Sequence, residues 1–229
     1  DHPRQFGAGG GKRWHRFHLP PALIARASRL CSEEGATNYM LLLAAFQLLL
    51  QRYCESDDVP VATPVANRRQ PETHGMIGLF VNTVVMRGDL SGNPTFRELL
   101  ARVRQTALDA FAHQELPFER LVEELQPERD LTRHPLAQVL FNFLQRPPGQ
   151  RRLRRRELTI GRQENEEHTV PGLFDLLLSV AEGEDGYRSA LQYDSRLFEP
   201  DTIERMVNHF RTLLEQIVAH PEWEIGRFE

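Results

Sequence analysis

The stretch GMIGLFVNTVVMRGDL, residues 75–90, reads as a buried strand that carries its own interruptions. Apolar and β-branched residues run through 80–87, the span expected to be extended. Gly78 stands ahead of it, and Asn82 and Thr83 place two hydrogen-bonding side chains inside it. Two accounts of that polar pair are open. The side chains hydrogen-bond neighbouring backbone where the chain bends at Gly78, because buried polar groups need partners; or the strand lines a polar channel. Periodicity alone does not separate them.

Upstream, VPVATPVAN is short and β-branched and is bounded by Pro60 and the polar NRRQPETH, which makes it a second strand followed by a loop. Before it, Thr37 is placed to cap an apolar helix reaching Tyr53, and Pro20 and Pro21 open another helix that Gly35 ends. RWHRFHL precedes that helix as a strand. Downstream, LSGNP is turn chemistry, with Asn93 as the expected cap and Pro94 at the first helical position. Phe96, Leu99, Leu100, Val103, Ala107 and Phe111 then recur at helical spacing, leaving Arg97, Arg102, Arg104 and Asp109 for water. Pro117 begins a shorter helix.

In LAQVLFNFLQ, Val139, Phe141 and Phe143 share one face of a strand, opposite Leu140, Asn142 and Leu144. FDLLLSVAE, GEDG and YRSALQYD form a hairpin pattern, and an apolar stripe from Ile203 to Ile217 marks a long last helix with Asp201 and Glu204 spaced as a capping box. The order is strand, two helices, two strands, two helices, three strands, helix. It predicts the α/β class, a mixed β-sheet covered by helices.

Composition bounds the function. The chain has 229 residues, 40% hydrophobic and 26% charged, with a net charge of −4. That is enough for one sizeable core, and the charge argues against nucleic acid as the main partner. RRLRRRELTIGRQENEEH puts five arginines before four glutamates that nearly cancel them and interleaves no aromatic residue, so a solvated excursion is expected there. MLLLAAFQLLL, residues 40–50, is too short to span a bilayer and is expected to be a core helix rather than a membrane segment. Cys31 and Cys54 show no metal-site spacing and are expected as two buried free thiols in a reducing cytoplasm. The glycines at 7–11 look like a linker end, since a phosphate loop needs a preceding strand and an immediate helix.

No nucleophile elbow, dinucleotide fingerprint, metal-site spacing or pair of adjacent histidines occurs. Among nine histidines, His113 stands out because HQELPFE joins a helix end to a polar cluster and a new helix start; a cation at a helix C-terminus is sufficient explanation.

TPVANRRQPETHGMIGLFVNTVVMRGDL, HQELPFERLVEEL and RDLTRHPLAQVLFNF resemble the three C-terminal signature blocks of the condensation domains of nonribosomal peptide synthetases, in the family's order and spacing. The ending from FDLLLSVAEGEDGYRSALQYD onward resembles the family's closing strands and helix. The resemblance covers residues 12–226 and implies a chloramphenicol-acetyltransferase-like lobe, one of two that meet in a V around a tunnel. Donor and acceptor peptidyl carrier domains bring thioesters into that tunnel on phosphopantetheine arms, and the acceptor amine attacks the donor thioester. The family's catalytic motif, two histidines, three residues and Asp-Gly, belongs to the N-terminal lobe and is absent here.

The resemblance therefore implies the C-terminal lobe only, with residues 1–11 a linker remnant, no catalytic residue, no metal and no directly bound cofactor. Its partners would be the missing N-terminal lobe, the two carrier domains and an adjacent adenylation domain. Asn67, Arg68, Gly78 and Asn82 match motif positions and are expected to shape or line the channel. GLFVNT favours a peptide-bond-forming subtype over epimerisation or heterocyclisation relatives. One departure is VPGLFDL, where the pattern has a lysine or similar residue before Phe-Asp-Leu. Two rival readings are a non-catalytic carrier-binding scaffold and an intact coenzyme A-dependent acyltransferase using His113 or His134. An isolated lobe is expected to expose an apolar or channel-lining face and to self-associate through it.

Overall fold

The computed structural model describes residues 1–4, 11–68, 70–127, 133–145, 174–183 and 185–228. Its elements follow the expected order: β1 (Lys12–Leu19), α1 (Pro21–Glu33), α2 (Asn38–Cys54), β2 (Asp58–Val65), β3 (Asn82–Asp89), α3 (Phe96–Ala112), α4 (Phe118–Leu125), β4 (Val139–Leu144), β5 (Leu176–Gly183), β6 (Gly186–Asp194) and α5 (Pro200–Ala219). The strands form one six-stranded sheet in the order β1-β6-β5-β4-β2-β3. β4 runs parallel to both β2 and β5, and the remaining pairings are antiparallel, so the sheet is mixed.

The core lies between one sheet face and helices α1, α2, α3 and α5. Residues 39–50 of α2 are all buried, which is why this helix is apolar all round rather than striped. Aromatic rings run through the core from helix to strand: Tyr39 meets Phe141 at 5.5 Å, Phe46 meets Phe141 and Phe210 at 6.2 Å each, and Phe17 meets Phe210 at 6.4 Å. β4 divides as its alternation predicts, with Phe141 in the main core and Leu140 on the opposite face beside Ala62 and Leu177. Two polar side chains of α2 inside this core, Tyr39 and Gln47, bond to the sheet. Tyr39 donates to Thr63 Oγ1 at 3.0 Å and Thr63 donates to the Phe141 carbonyl at 3.0 Å. Gln47 donates to the carbonyls of Val59 (3.1 Å) and Met86 (3.0 Å), and a Cβ on Gly88 would lie 2.7 Å from its amide, so β3 carries glycine there.

Four local expectations are corrected. Thr95, not Asn93, caps α3, in a capping box with Glu98; Asn93 instead donates to Glu224 and accepts from Gly226 N. Glu199 occupies the cap position of α5 without a side-chain bond, because Pro200 fixes the first turn one step ahead of Asp201. Cys31 is buried, but Cys54, in the last turn of α2, is exposed. The arginines of α3 are not simply left to water: Arg97 bonds Glu34, Arg102 the carbonyls of Asp89 and Ser91, and Arg104 that of Gly35.

Of the expected linker, residues 1–4 dock on the domain. Asp1 accepts from Glu199 N at 2.8 Å, His2 N donates to the Leu197 carbonyl at 3.2 Å, and Arg4 bonds Asp175 at 2.5 Å. Residues 5–10, the charged stretch 151–168 and the start of VPGLFDL lie outside the described residues.

Candidate functional site at the β2–β3 connection

β2 and β3 pair from Asp58↔Asp89 to Val65↔Asn82. β3 thus begins at Asn82 rather than two residues earlier, and residues 75–81 are a loop, not strand. The apolar residues there have no sheet partner once β2 has ended. Ile77 is fully exposed and Leu79 91% exposed, and Met76 and Val81 are more than half exposed.

This loop is held from inside by Arg68. Two residues beyond the end of β2, Asn67 takes a left-handed conformation with φ +50°. The next guanidinium then donates to three loop carbonyls: Thr73, Met76 at 3.0 Å and Gly78 at 3.3 Å. It also lies 4.1 Å over the Phe80 ring, and the His74 imidazole bonds the Arg68 carbonyl at 2.9 Å. A Cβ on Gly78 would sit 3.1 Å from the Phe80 ring, so glycine lets the backbone pass the ring that carries the arginine. Arg68 and Gly78 therefore belong to one unit, with Phe80 as the ring between them. Sequence reasoning misses Phe80, because Arg-to-aromatic packing across a loop of this length leaves no local periodic trace.

Asn82 does something different. Its Nδ2 donates to the carbonyls of Gln114 (2.8 Å) and Leu116 (2.7 Å), and its Oδ1 accepts from Phe118 N at 3.2 Å. One amide thus satisfies the backbone at the α3–α4 turn, including an N–H at the start of α4 that has no helical acceptor. The backbone-bonding account of Asn82 holds in kind, but its partners are more than 30 residues away and not at a bend by Gly78. HQELPFE, whose polar composition marks out His113, is where these bonds land. His113 itself caps α3 and bonds the Asp109 carbonyl at 2.9 Å through Nδ1.

Behind this turn, His134 stacks on Phe174 at 4.1 Å and faces Phe118 at 4.9 Å, with Nδ1 2.8 Å from the Pro135 carbonyl. Burial holds its pKa below the usual imidazole range, favouring the neutral ring. A histidine enclosed by two phenyl rings works as packing between α4 and the start of β5, and among the described residues no carboxylate is placed to orient it as a base. Nor, among those residues, is any group of three or more His, Cys, Asp or Glu side chains arranged to hold a metal ion, and no helix there is long and apolar enough to cross a membrane.

The site is an arginine-clasped loop offering apolar side chains outward, tied through Asn82 to the turn between two helices. Replacing Arg68 by either Lys or Gln removes the fork that reaches three carbonyls. Faster limited proteolysis within 70–81 is expected, with a loss of global stability of only about 1 kcal/mol because the loop is exposed.

Residues 12–229 match the family described as condensation domain. The chain belongs to this family. Its curated relatives include a linear gramicidin synthase of Brevibacillus parabrevis, 47% identical over 93% of the chain, and surfactin synthase subunit 1 of Bacillus subtilis (strain 168), 38% identical over 89%. The chain spans 4% and 6% of those two proteins. Among solved structures, a four-domain nonribosomal peptide synthetase bound to AMP and glycine superposes with a TM-score of 0.83 at 25% identity, covering 98% of this chain and 18% of that one. The X-domain from teicoplanin biosynthesis gives 0.80 at 26% identity, covering 96% of this chain and 50% of its own. The mixed sheet covered by helices is thus the condensation-domain fold, as the resemblance implied.

Proposed function

We propose that the chain is the C-terminal lobe of a condensation domain that forms an amide bond between carrier-bound thioesters, and that it supplies one wall of the substrate tunnel. In that reaction the acceptor amine attacks the donor thioester carbonyl. The C–N bond forms, the C–S bond breaks, the donor phosphopantetheine thiol leaves, and the amine proton passes to a base. This chain holds no adjacent histidine pair to serve as that base, so its part is to position the chains that meet. The observation that carries the reading is the set of apolar side chains Met76, Ile77, Leu79 and Val81, turned outward on a loop that Arg68 holds in shape. A face so organised and so exposed fits a partner lobe. Asn67, Arg68, Gly78 and Asn82 act by setting this loop and the helix turn beside the tunnel, and the two carrier domains and an adenylation domain are its other partners. The peptide-bond-forming subtype rests on GLFVNT.

The test is a condensation assay with two aminoacyl-loaded carrier domains. No product is expected from this chain alone, and product is expected once the matching N-terminal lobe is added in trans. Product from the chain alone would overturn the assignment of roles and revive an intact acyltransferase. No product in either case, with the two lobes bound to each other, would leave a scaffold as the better reading.

The same face gives a second expected outcome. Light scattering should show concentration-dependent self-association, abolished by the double change Ile77→Asp and Leu79→Asp with the fold unchanged by circular dichroism. A monodisperse monomer before the change would sink the exposed-face argument.

A further inference from the structure

At the other end of β2 lies a cavity of about 570 Å³, in the range of small-molecule sites. The eight residues of β2 put roughly 20–25 Å between it and the Asn82 end, so it is no part of the channel wall described above. It opens where the parallel strands β2, β4 and β5 begin and where the end of α2 meets the start of α5. Its floor is apolar: Leu50, Val59, Ala137, Leu176, Phe198 and Met206. Leu136 bends into its wall with φ +65°, a conformation leucine adopts at a cost, which turns the chain before β4 around the space instead of across it.

The rim decides what such a cavity would hold. Three carboxylates line it, and each already has a donor: Asp58 takes both arms of Arg87 at 2.9 and 2.8 Å, Asp175 takes Arg4, and Asp1 takes Glu199 N. The Tyr53 hydroxyl shares a 3.0 Å bond with His209 Nδ1. Arg205 is the exception. Among the described residues its guanidinium makes one hydrogen bond, Nη2 to Thr202 Oγ1 at 2.8 Å, and no ion pair. A guanidinium has five N–H donors. Arg205 is thus the rim side chain, among the described residues, with cationic donors to spare, beside three carboxylates that keep acceptor sites of their own, over an apolar floor.

We propose that this cavity is a binding site for an apolar monocarboxylate, its hydrocarbon body on the Leu50–Met206 floor and its carboxylate on Arg205. The proposal does not rest on the condensation reading.

Cys54 supplies the readout. It lines the cavity and is exposed, while Cys31 is 3% exposed and burial pushes its thiol up to about 12, so alkylation reports on Cys54. The probes are decanoate and, as the matched cation, decylamine. Decanoate should bind with one equivalent by calorimetry and slow iodoacetamide labelling of Cys54, followed by intact mass. Arg205→Gln should weaken decanoate about tenfold, the size expected for losing a charge-assisted hydrogen bond. Thr202→Trp, at the lip, should block binding with the fold intact. Decylamine binding as tightly as decanoate, an unchanged affinity in Arg205→Gln, binding of many equivalents, or binding without protection of Cys54 would each overturn it.

Discussion

Asn82→Ala should lower the stability of the chain by about 2–3 kcal/mol in chemical denaturation, with the slope of the transition unchanged. Three hydrogen bonds of ordinary length converge on this amide, two given to the carbonyls of Gln114 and Leu116 and one taken from Phe118 N. A methyl group replaces none of them, and water reaches the half-enclosed turn only in part. The informative comparison is Asn82→Asp. A carboxylate can still accept from Phe118 N, yet it faces two carbonyl oxygens to which it has nothing to donate. At neutral pH the aspartate should therefore be at least as destabilising as alanine. Protonation gives the side chain one donor, so its deficit should shrink as pH falls toward 4, where the alanine deficit should not. Faster hydrogen exchange at the Phe118 amide would localise the effect to the α3–α4 turn. An Asn82→Asp variant as stable as the parent at pH 7 would mean that these bonds do not hold the turn.

How much of this is legible in the sequence depends on the range of the interaction. The core stripes of α3 and α5, the β5–β6 hairpin and the faces of β4 follow from spacing, because each is decided by neighbours within one element. Local signals misplace the caps of α3 and α5 by two residues each. TFRE already spells the capping box, but Asn93 beside Pro94 offers an equally good local signal until Glu224 is brought up from 131 residues away. Phe80 and Val81 read as strand because phenylalanine and valine favour extended pairing; what they lack is a partner, and that depends on where β2 stops. Arg68 and Asn82 stand out by resemblance, and their contacts explain why those residue types are needed. Arg68 spans a loop to reach carbonyls and a ring, and Asn82 offers two donors and an acceptor at one point. Phe80 and the Phe118–His134–Phe174 stack arise from contacts between separate elements, which no window of sequence contains.

The end of β6 carries the strongest acid dependence expected of the fold. Asp194 is 2% exposed and accepts from Arg196 through Nη2 (2.5 Å), Nε (2.9 Å) and the backbone N (3.0 Å), with Lys12 Nζ at 3.5 Å from across the β1–β6 pair. The Arg196 hydrogen bonds, with help from Lys12 and against the cost of burial, hold its carboxyl down at about 2. An unfolded aspartate titrates near 4, so the charged form is bound more firmly by the folded chain. The resulting stabilisation, about 2 kcal/mol, is fully present above pH 4–5 and is lost as pH falls through 4 toward 2. Asp194→Asn keeps the shape but not the charge. It should be about 2 kcal/mol less stable than the parent at pH 6, and the difference should close as the pH approaches 2. Measuring that difference, rather than the acid transition of the parent alone, separates Asp194 from Asp58, Asp89 and Glu98. Their carboxyls are also held below the usual range but lie on the surface, where solvent screens them. A gap that stays constant between pH 6 and 2 would show that Asp194 acts through packing and not through its charge. Because Asp194 also receives the start of β1 through Lys12 and lies beside the strand end where Arg4 holds Asp175, losing its charge should loosen the docking of residues 1–4 first, visible as early amide exchange at His2.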